Sequence, residues 1–226
     1  MPVTFPFAGP IVPATARNWR DDVHFIDNDW NNHFDSTTAG TASVTPIADT
    51  SGAHLGRVQL SVTSAGTGSA RIQSNEGIIG LPPFFSLWQT NFSPAALSDG
   101  TNRFYMQMGF TDTGLTSDIP ANGFGFRYSD NINSGRWQCF SASGGVASVL
   151  DSGQAANITK NTFRVYSPGA AGPLIFLVND RLVGAIRDNI PTVAGFFSLS
   201  MFKSVGAAAR TAAFDYLGYY YVRGNN

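Results

Sequence analysis

Short runs in which apolar and polar residues alternate, parted by clusters of Gly, Asn, Asp and Ser, follow one another along most of this 226-residue chain. A two-residue period puts successive side chains on opposite faces of a strand, whereas an amphipathic helix needs a period near 3.6. No segment sustains the helical period. The runs fall at Val23–Ile26, Arg57–Val62, Ala70–Gln73, Phe84–Trp88, Phe104–Phe110, Phe124–Tyr128 and Arg136–Phe140, then at Val146–Leu150, Thr162–Tyr166, Leu174–Val178, Leu182–Arg187, Phe196–Phe202 and Ala213–Arg223. Short strands at this density predict an all-β sandwich or barrel. Pro94–Leu97 and Val205–Arg210 are expected to form at most single helical turns.

The charged residues agree. The 15 acidic residues include one glutamate, Glu76, and the 14 basic ones include two lysines, Lys160 and Lys203. Glu and Lys best support exposed helices, and here they are nearly absent. A formal net charge of −1 removes the electrostatic case for nucleic acid, which needs a basic face. No apolar run reaches the length of a membrane span, and Met1–Phe7 lacks the basic start and apolar stretch of a signal peptide. Synthesis in the cytoplasm and no membrane partner are therefore expected.

Local chemistry fixes some details. Asn179-Asp180 stands between two apolar runs, and both residues tolerate positive φ, as a two-residue hairpin loop requires. In the last run Phe214, Tyr216, Tyr220 and Val222 share one face by alternation, and both faces are rich in aromatics, so this strand is expected to be central or covered. Cys139 is the only cysteine, which excludes an intrachain disulfide; it reads as a small buried hydrophobe.

Residues 1–22 differ from the rest. Pro2, Pro6, Pro10 and Pro13 exclude helix and central strand, leaving an extended arm ahead of a sandwich domain at 23–226. Phe5, Phe7, Ile11, Val12 and Trp19 are its candidate anchors, on a neighbouring subunit or on its own domain.

One stretch carries a wider resemblance. Gly123–Cys139 reads GFGFRYSDNINSGRWQC, and it is followed by the Leu174–Arg187 hairpin and by Lys203–Tyr216, KSVGAAARTAAFDY. In that order the three resemble a module of bacteriophage and prophage virion proteins. The resemblance covers residues 100–223 and is strongest in the first hairpin. It implies a concanavalin A-like (lectin/glucanase) jelly roll of two antiparallel sheets, and a virion location. It also implies a structural role, as a capsid decoration (cement) or head-fibre protein, with the major capsid protein or other virion subunits as partners. A homo-oligomer, with a trimer as the expected state, fits that role; the alternative is a tail protein that recognises host glycan.

Candidate chemistry is sparse. Glycosidases need paired carboxylates flanking the scissile bond, but Glu76 lies in a turn-like SNEG stretch and no Glu-x-Asp-x-x-Glu occurs. His24, His33 and His54 are scattered, and no Gly-x-Ser-x-Gly elbow exists. No enzyme activity and no cofactor are expected. Asp27, Asp29 and Asp35 offer oxygen ligands to a cation but lack the EF-hand glycine and terminal glutamate, and Asx residues are also ordinary turn formers. Tyr128, Asp130, Asn131, Asn133 and Trp137 would make a sugar shelf, with polar edges beside aromatic faces. The same residues would equally cap their own turn and fill a sandwich core.

Overall fold

The computed structural model describes residues 17–24, 34–47, 57–63, 66–75, 85–113, 118–167 and 172–223. Fifteen strands form among them. They are β1 (Arg17–His24), β2 (Phe34–Gly40), β3 (Ala42–Ile47), β4 (Arg57–Val62), β5 (Gly68–Ser74), β6 (Phe85–Pro94), β7 (Phe104–Thr111) and β8 (Gly123–Tyr128). The chain continues through β9 (Arg136–Ser143), β10 (Val146–Ala155), β11 (Asn161–Ser167), β12 (Leu174–Val178), β13 (Arg181–Ile186), β14 (Phe196–Lys203) and β15 (Arg210–Arg223).

Every pairing is antiparallel, and the strands build two sheets. An eight-stranded sheet runs β13-β12-β11-β6-β15-β4-β3, with β1 also on β15. A seven-stranded sheet runs β10-β9-β8-β7-β14-β5-β2. One flank of the long β15 is shared: Arg210–Phe214 pairs with β4 and Tyr216–Arg223 with β1.

The two sheets bury alternate residues against each other. Phe104, Met106, Met108 and Phe110 of β7, Phe124 and Phe126 of β8, and Leu199 and Met201 of β14 meet Val58, Leu60, Val62, Phe92, Phe163, Phe176 and Phe214 across the sandwich. Rings hold its middle, with the Phe163 centroid 4.6 Å from Trp137 and 5.0 Å from Phe126. Each such ring withdrawn from water is worth about 1.5–3 kcal/mol, and with Cys139 free and buried no covalent link contributes.

The structure adds to the sequence reading or departs from it in four places. Strands β2 and β3 were not anticipated: Phe34 alone in β2 is buried, and β3 alternates only over the short Ala42–Pro46 stretch, with Ala42 and Val44 packed against the core. Residues 17–22, the last part of the expected arm, pair with β15 as part of β1. A bulge at Asp215 shifts the register, setting Phe214 opposite Phe92 but Tyr216 opposite Asn91, so one alternating face does not run through β15. Neither expected helical turn forms: Pro94 closes β6, bends follow, and Arg210 opens β15. The Asn179-Asp180 loop is as expected, with φ of 50° and 62°.

Residues 1–16 lie outside the described residues, as do the arm anchors Phe5, Phe7, Ile11 and Val12; Trp19 stands in β1 opposite Tyr221.

Candidate functional site

The β8–β9 hairpin is scaffold. Tyr128 and Trp137 alternate inward and are 2% and 1% exposed, with ring centroids 5.3 Å apart, so neither face is open to a sugar. The proposed shelf is corrected by that burial. The turn between them is pinned by its polar residues. The Tyr128 hydroxyl accepts from the Ser98 backbone N–H at 3.0 Å, and the Ser98 hydroxyl donates to Asp130 at 2.6 Å. Arg103 donates to both Asp130 oxygens through Nε and to Oδ2 through Nη2 at 3.0 Å. Burial works against the Asp130 charge, yet the hydrogen bonds from Arg103 and Ser98 outweigh it and hold the carboxyl below its ordinary range.

Asn133 and Ser134 take left-handed backbone conformations, with φ of 50° and 55°. Asn133 is stabilised there because its amide donates to the Trp137 carbonyl at 3.0 Å and to Asp151 at 2.8 Å. One shelf residue points elsewhere: the Asn131 amide donates to the Tyr105 hydroxyl at 3.2 Å.

Tyr105 belongs to the outer face of the seven-stranded sheet, where the register builds a continuous feature. Thr37, Arg71, Ser200, Gln107, Arg127, Gln138 and Asp151 are successive cross-strand partners from β2 to β10. This row is polar on all seven strands. Within it Arg127 Nε donates to Gln138 Oε1 at 2.6 Å, and the Ser200 hydroxyl donates to the Gln107 carbonyl at 3.0 Å. On one side it is bordered by Tyr105 and Phe202, partly buried rings with centroids 6.3 Å apart. On the other side it is bordered by Gly109 and Gly125, directly paired across β7 and β8.

Glycine is required at both positions for a steric reason. Gly125 has φ near 155°, and a Cβ there would stand 2.0 Å from the Met108 carbonyl oxygen. Beyond them the β7–β8 connection folds back over the outer face as far as Gln107. The Gln107 amide donates to the Asp118 carbonyl at 3.4 Å, and Pro120 packs where a side chain on Gly123 would be.

The chemistry this face can perform follows from its charges. Strands β5, β14, β7, β8 and β9 contain neither Asp nor Glu. Among the described residues, acidic groups reach the row from Asp35 beside it on β2, from Asp151 at its end on β10 and from Asp118 of the β7–β8 connection, whose charge acts on Arg127. Two carboxylates about 5–9 Å apart, as hydrolysis of a glycosidic bond requires, are not available on those five strands. Asp151 is held down at about 2 by the Gly153 backbone N–H and by Asn133 and Arg136, so it is a poor proton donor. Burial pushes the Cys139 thiol up, away from nucleophilic use.

Asp27 and Asp29 lie outside the described residues, and Asp35 is exposed on β2. Among the described residues no three His, Cys, Asp or Glu side chains gather as a metal site would. Arg71, Tyr105, Gln107, Arg127, Gln138, Ser200 and Phe202 were missed in the sequence. Each is the polar or partly exposed member of an alternating run, but only the strand order reveals that they share one face.

No family model matches the chain, and no curated protein matches it in sequence. Solved structures do match it in shape. A β-glucanase of Bacillus licheniformis is 18% identical, with a TM-score of 0.60 over 91% of this chain and 98% of that one. The carbohydrate recognition domain of Emp46p in its potassium-bound form is 9% identical, with a TM-score of 0.56 over 85% of this chain and 90% of that one. A protein of unknown function from Shewanella oneidensis MR-1 is 11% identical, with a TM-score of 0.62 over 94% and 91%. The fold is therefore the concanavalin A-like lectin/glucanase jelly roll, as expected from the first hairpin.

Proposed function

We propose that this chain is a non-enzymatic carbohydrate-recognition protein that binds glycan across the outer face of its seven-stranded sheet. The observation that carries this reading is the polar row on all seven strands, bordered by the Tyr105–Phe202 rings and free of carboxylates on its five inner strands. Sugars present hydroxyl edges to amides and guanidinium groups and their C–H faces to rings, and this surface offers both. The folds of a glucanase and of a carbohydrate recognition domain are consistent with such a use.

A glycan array probed with the full chain tests it. Selective binding is expected, with a several-fold loss in Gln107→Ala, whose side chain lies on the face and outside the core. Binding to no glycan overturns the reading. Release of reducing ends or of unsaturated uronate from a bound polysaccharide overturns its non-enzymatic part.

A second reading, a virion structural role as capsid cement or head fibre, is favoured by the F-R-Y-S-D-N-x-N-S-G-x-W-Q-C hairpin. Most residues of that motif serve the scaffold, so the likeness to phage virion modules concerns the framework and is compatible with glycan binding on the same particle. In this setting the protein is carried on the virion as a homo-oligomer, attached to the capsid protein by the residue 1–16 anchors. Retained occupancy on empty capsids after deletion of residues 1–16 would sink the anchoring model.

A further inference from the structure

Within the polar row Arg71 is anomalous. Its Nε and Nη1 are buried and meet no acceptor. Arg57 and Arg210 leave one nitrogen each in that state, and Arg210 is otherwise tied to Asp99 at 2.9 Å. A guanidinium stays charged at any ordinary pH, and donors removed from water without a partner destabilise the fold. The cross-strand neighbours offer no anion: Thr37 lies on one side and Ser200, already donating to Gln107, on the other. Burial pushes the Arg71 guanidinium down from its ordinary value, and the charge of Asp35 only partly counters this. Arg71 nonetheless keeps part of its surface open on the outer face.

Arg127 stands on the same row three strands away, so the two Cα atoms are about 14 Å apart at the usual strand spacing. Burial pushes its guanidinium down too, against the charge of Asp118. Between the arginines the row is neutral, made of Ser200 and Gln107. The spacing exceeds one sugar ring, so two cations are set along one extended chain.

Resting on the carbohydrate reading above, we propose that Arg71 and Arg127 make this face selective for acidic glycan, each meeting a carboxylate of a polyuronate whose neutral edge lies on Gln107 between them. Asp35 only partly offsets the Arg71 charge, and the ligand supplies a further anion.

The test is calorimetric titration of the full chain with an oligogalacturonate, with its carboxyl-reduced neutral counterpart, and with sulfate alone. The acidic oligomer is expected to bind at least tenfold more tightly than the neutral one, and sulfate far more weakly than either. Arg71→Gln should reduce oligogalacturonate affinity at least tenfold and weaken the neutral oligomer far less. Arg127→Gln should act in the same direction, and Arg164→Gln, on the other sheet, should do nothing. A melt supplies an independent readout: removing unpartnered donors leaves Arg71→Gln at or above the wild-type Tm. Arg71→Lys, which keeps the charge, should lose less affinity than Arg71→Gln.

Equal affinity for acidic and neutral oligomers, or no effect of Arg71→Gln, overturns this inference while leaving glycan binding standing. Sulfate binding as tight as the oligomer's reassigns the site to a free anion and also overturns it. No binding of either oligomer, with the glycan array equally blank, overturns the carbohydrate reading itself.

Discussion

Replacing Trp137 by alanine separates a core residue from a sugar platform. The indole is 1% exposed and meets three rings, with centroids 5.7 Å from Phe92, 5.3 Å from Tyr128 and 4.6 Å from Phe163. Truncating a buried Phe or Trp to Ala costs about 3–5 kcal/mol. Each aromatic pair adds about 0.5–1.5 kcal/mol beyond area burial, so the upper end of that range is expected. Domain stabilities are about 5–15 kcal/mol, and such a loss would remove a large part of the whole. The assay is urea unfolding followed by far-UV circular dichroism, so that removal of a fluorophore does not disturb the signal. Trp137→Phe, which keeps a ring, should lose less than half as much. Glycan affinity of the folded variants should match wild type. A loss below about 1 kcal/mol, together with weakened sugar binding, would refute the burial argument and restore the shelf.

Gly125→Ala tests the close approach of β7 and β8. Its Cβ would meet the Met108 carbonyl oxygen at 2.0 Å and Gly109 Cα at 2.9 Å, both backbone atoms, so the strand itself must move. The conformation alone costs about 1–3 kcal/mol, and a melt within a degree of wild type would contradict this close approach of the two strands. Asp151 gives a pH signature. Its folded value is about 2, below that of a free aspartate, so its contribution is complete above the unfolded value near 4 and fades as pH falls towards 2. Asp151→Asn should make acid unfolding less steep in that window, and an unchanged acid titration would deny the Gly153, Asn133 and Arg136 bonds their role. Cys139 should resist a thiol reagent in the native protein and react fully in urea; rapid native labelling would show that the core is open there.

The fold was legible where local chemistry decides structure. The alternation of β7, β8, β9 and β14 gave their positions, and Asn179-Asp180 revealed its loop because few other residues accept positive φ there. Strand β2 was invisible because an edge strand with only Phe34 buried need not alternate, and β3 was missed because its alternation is short and contains Pro46, which only an edge strand tolerates. The site was illegible for a different reason. Arg71 and Ser200 are 129 residues apart in sequence and meet only through the β14–β5 register. The conspicuous hairpin attracted the sugar reading instead, and its aromatic residues turned out to face inward.

Strand order also governs when the molecule can exist as a folded object. The two strands made latest, β14 and β15, occupy interior slots: β14 between β7 and β5, and β15 between β6 and the β4–β1 flank. Until residues 196–223 have been synthesised, each layer is split down its middle and exposes a pair of raw edges open to foreign strands. A nascent chain of this design therefore has no stable halfway stage to rest in. It closes both gaps late, and its dependence on chaperones should be greatest just before that moment.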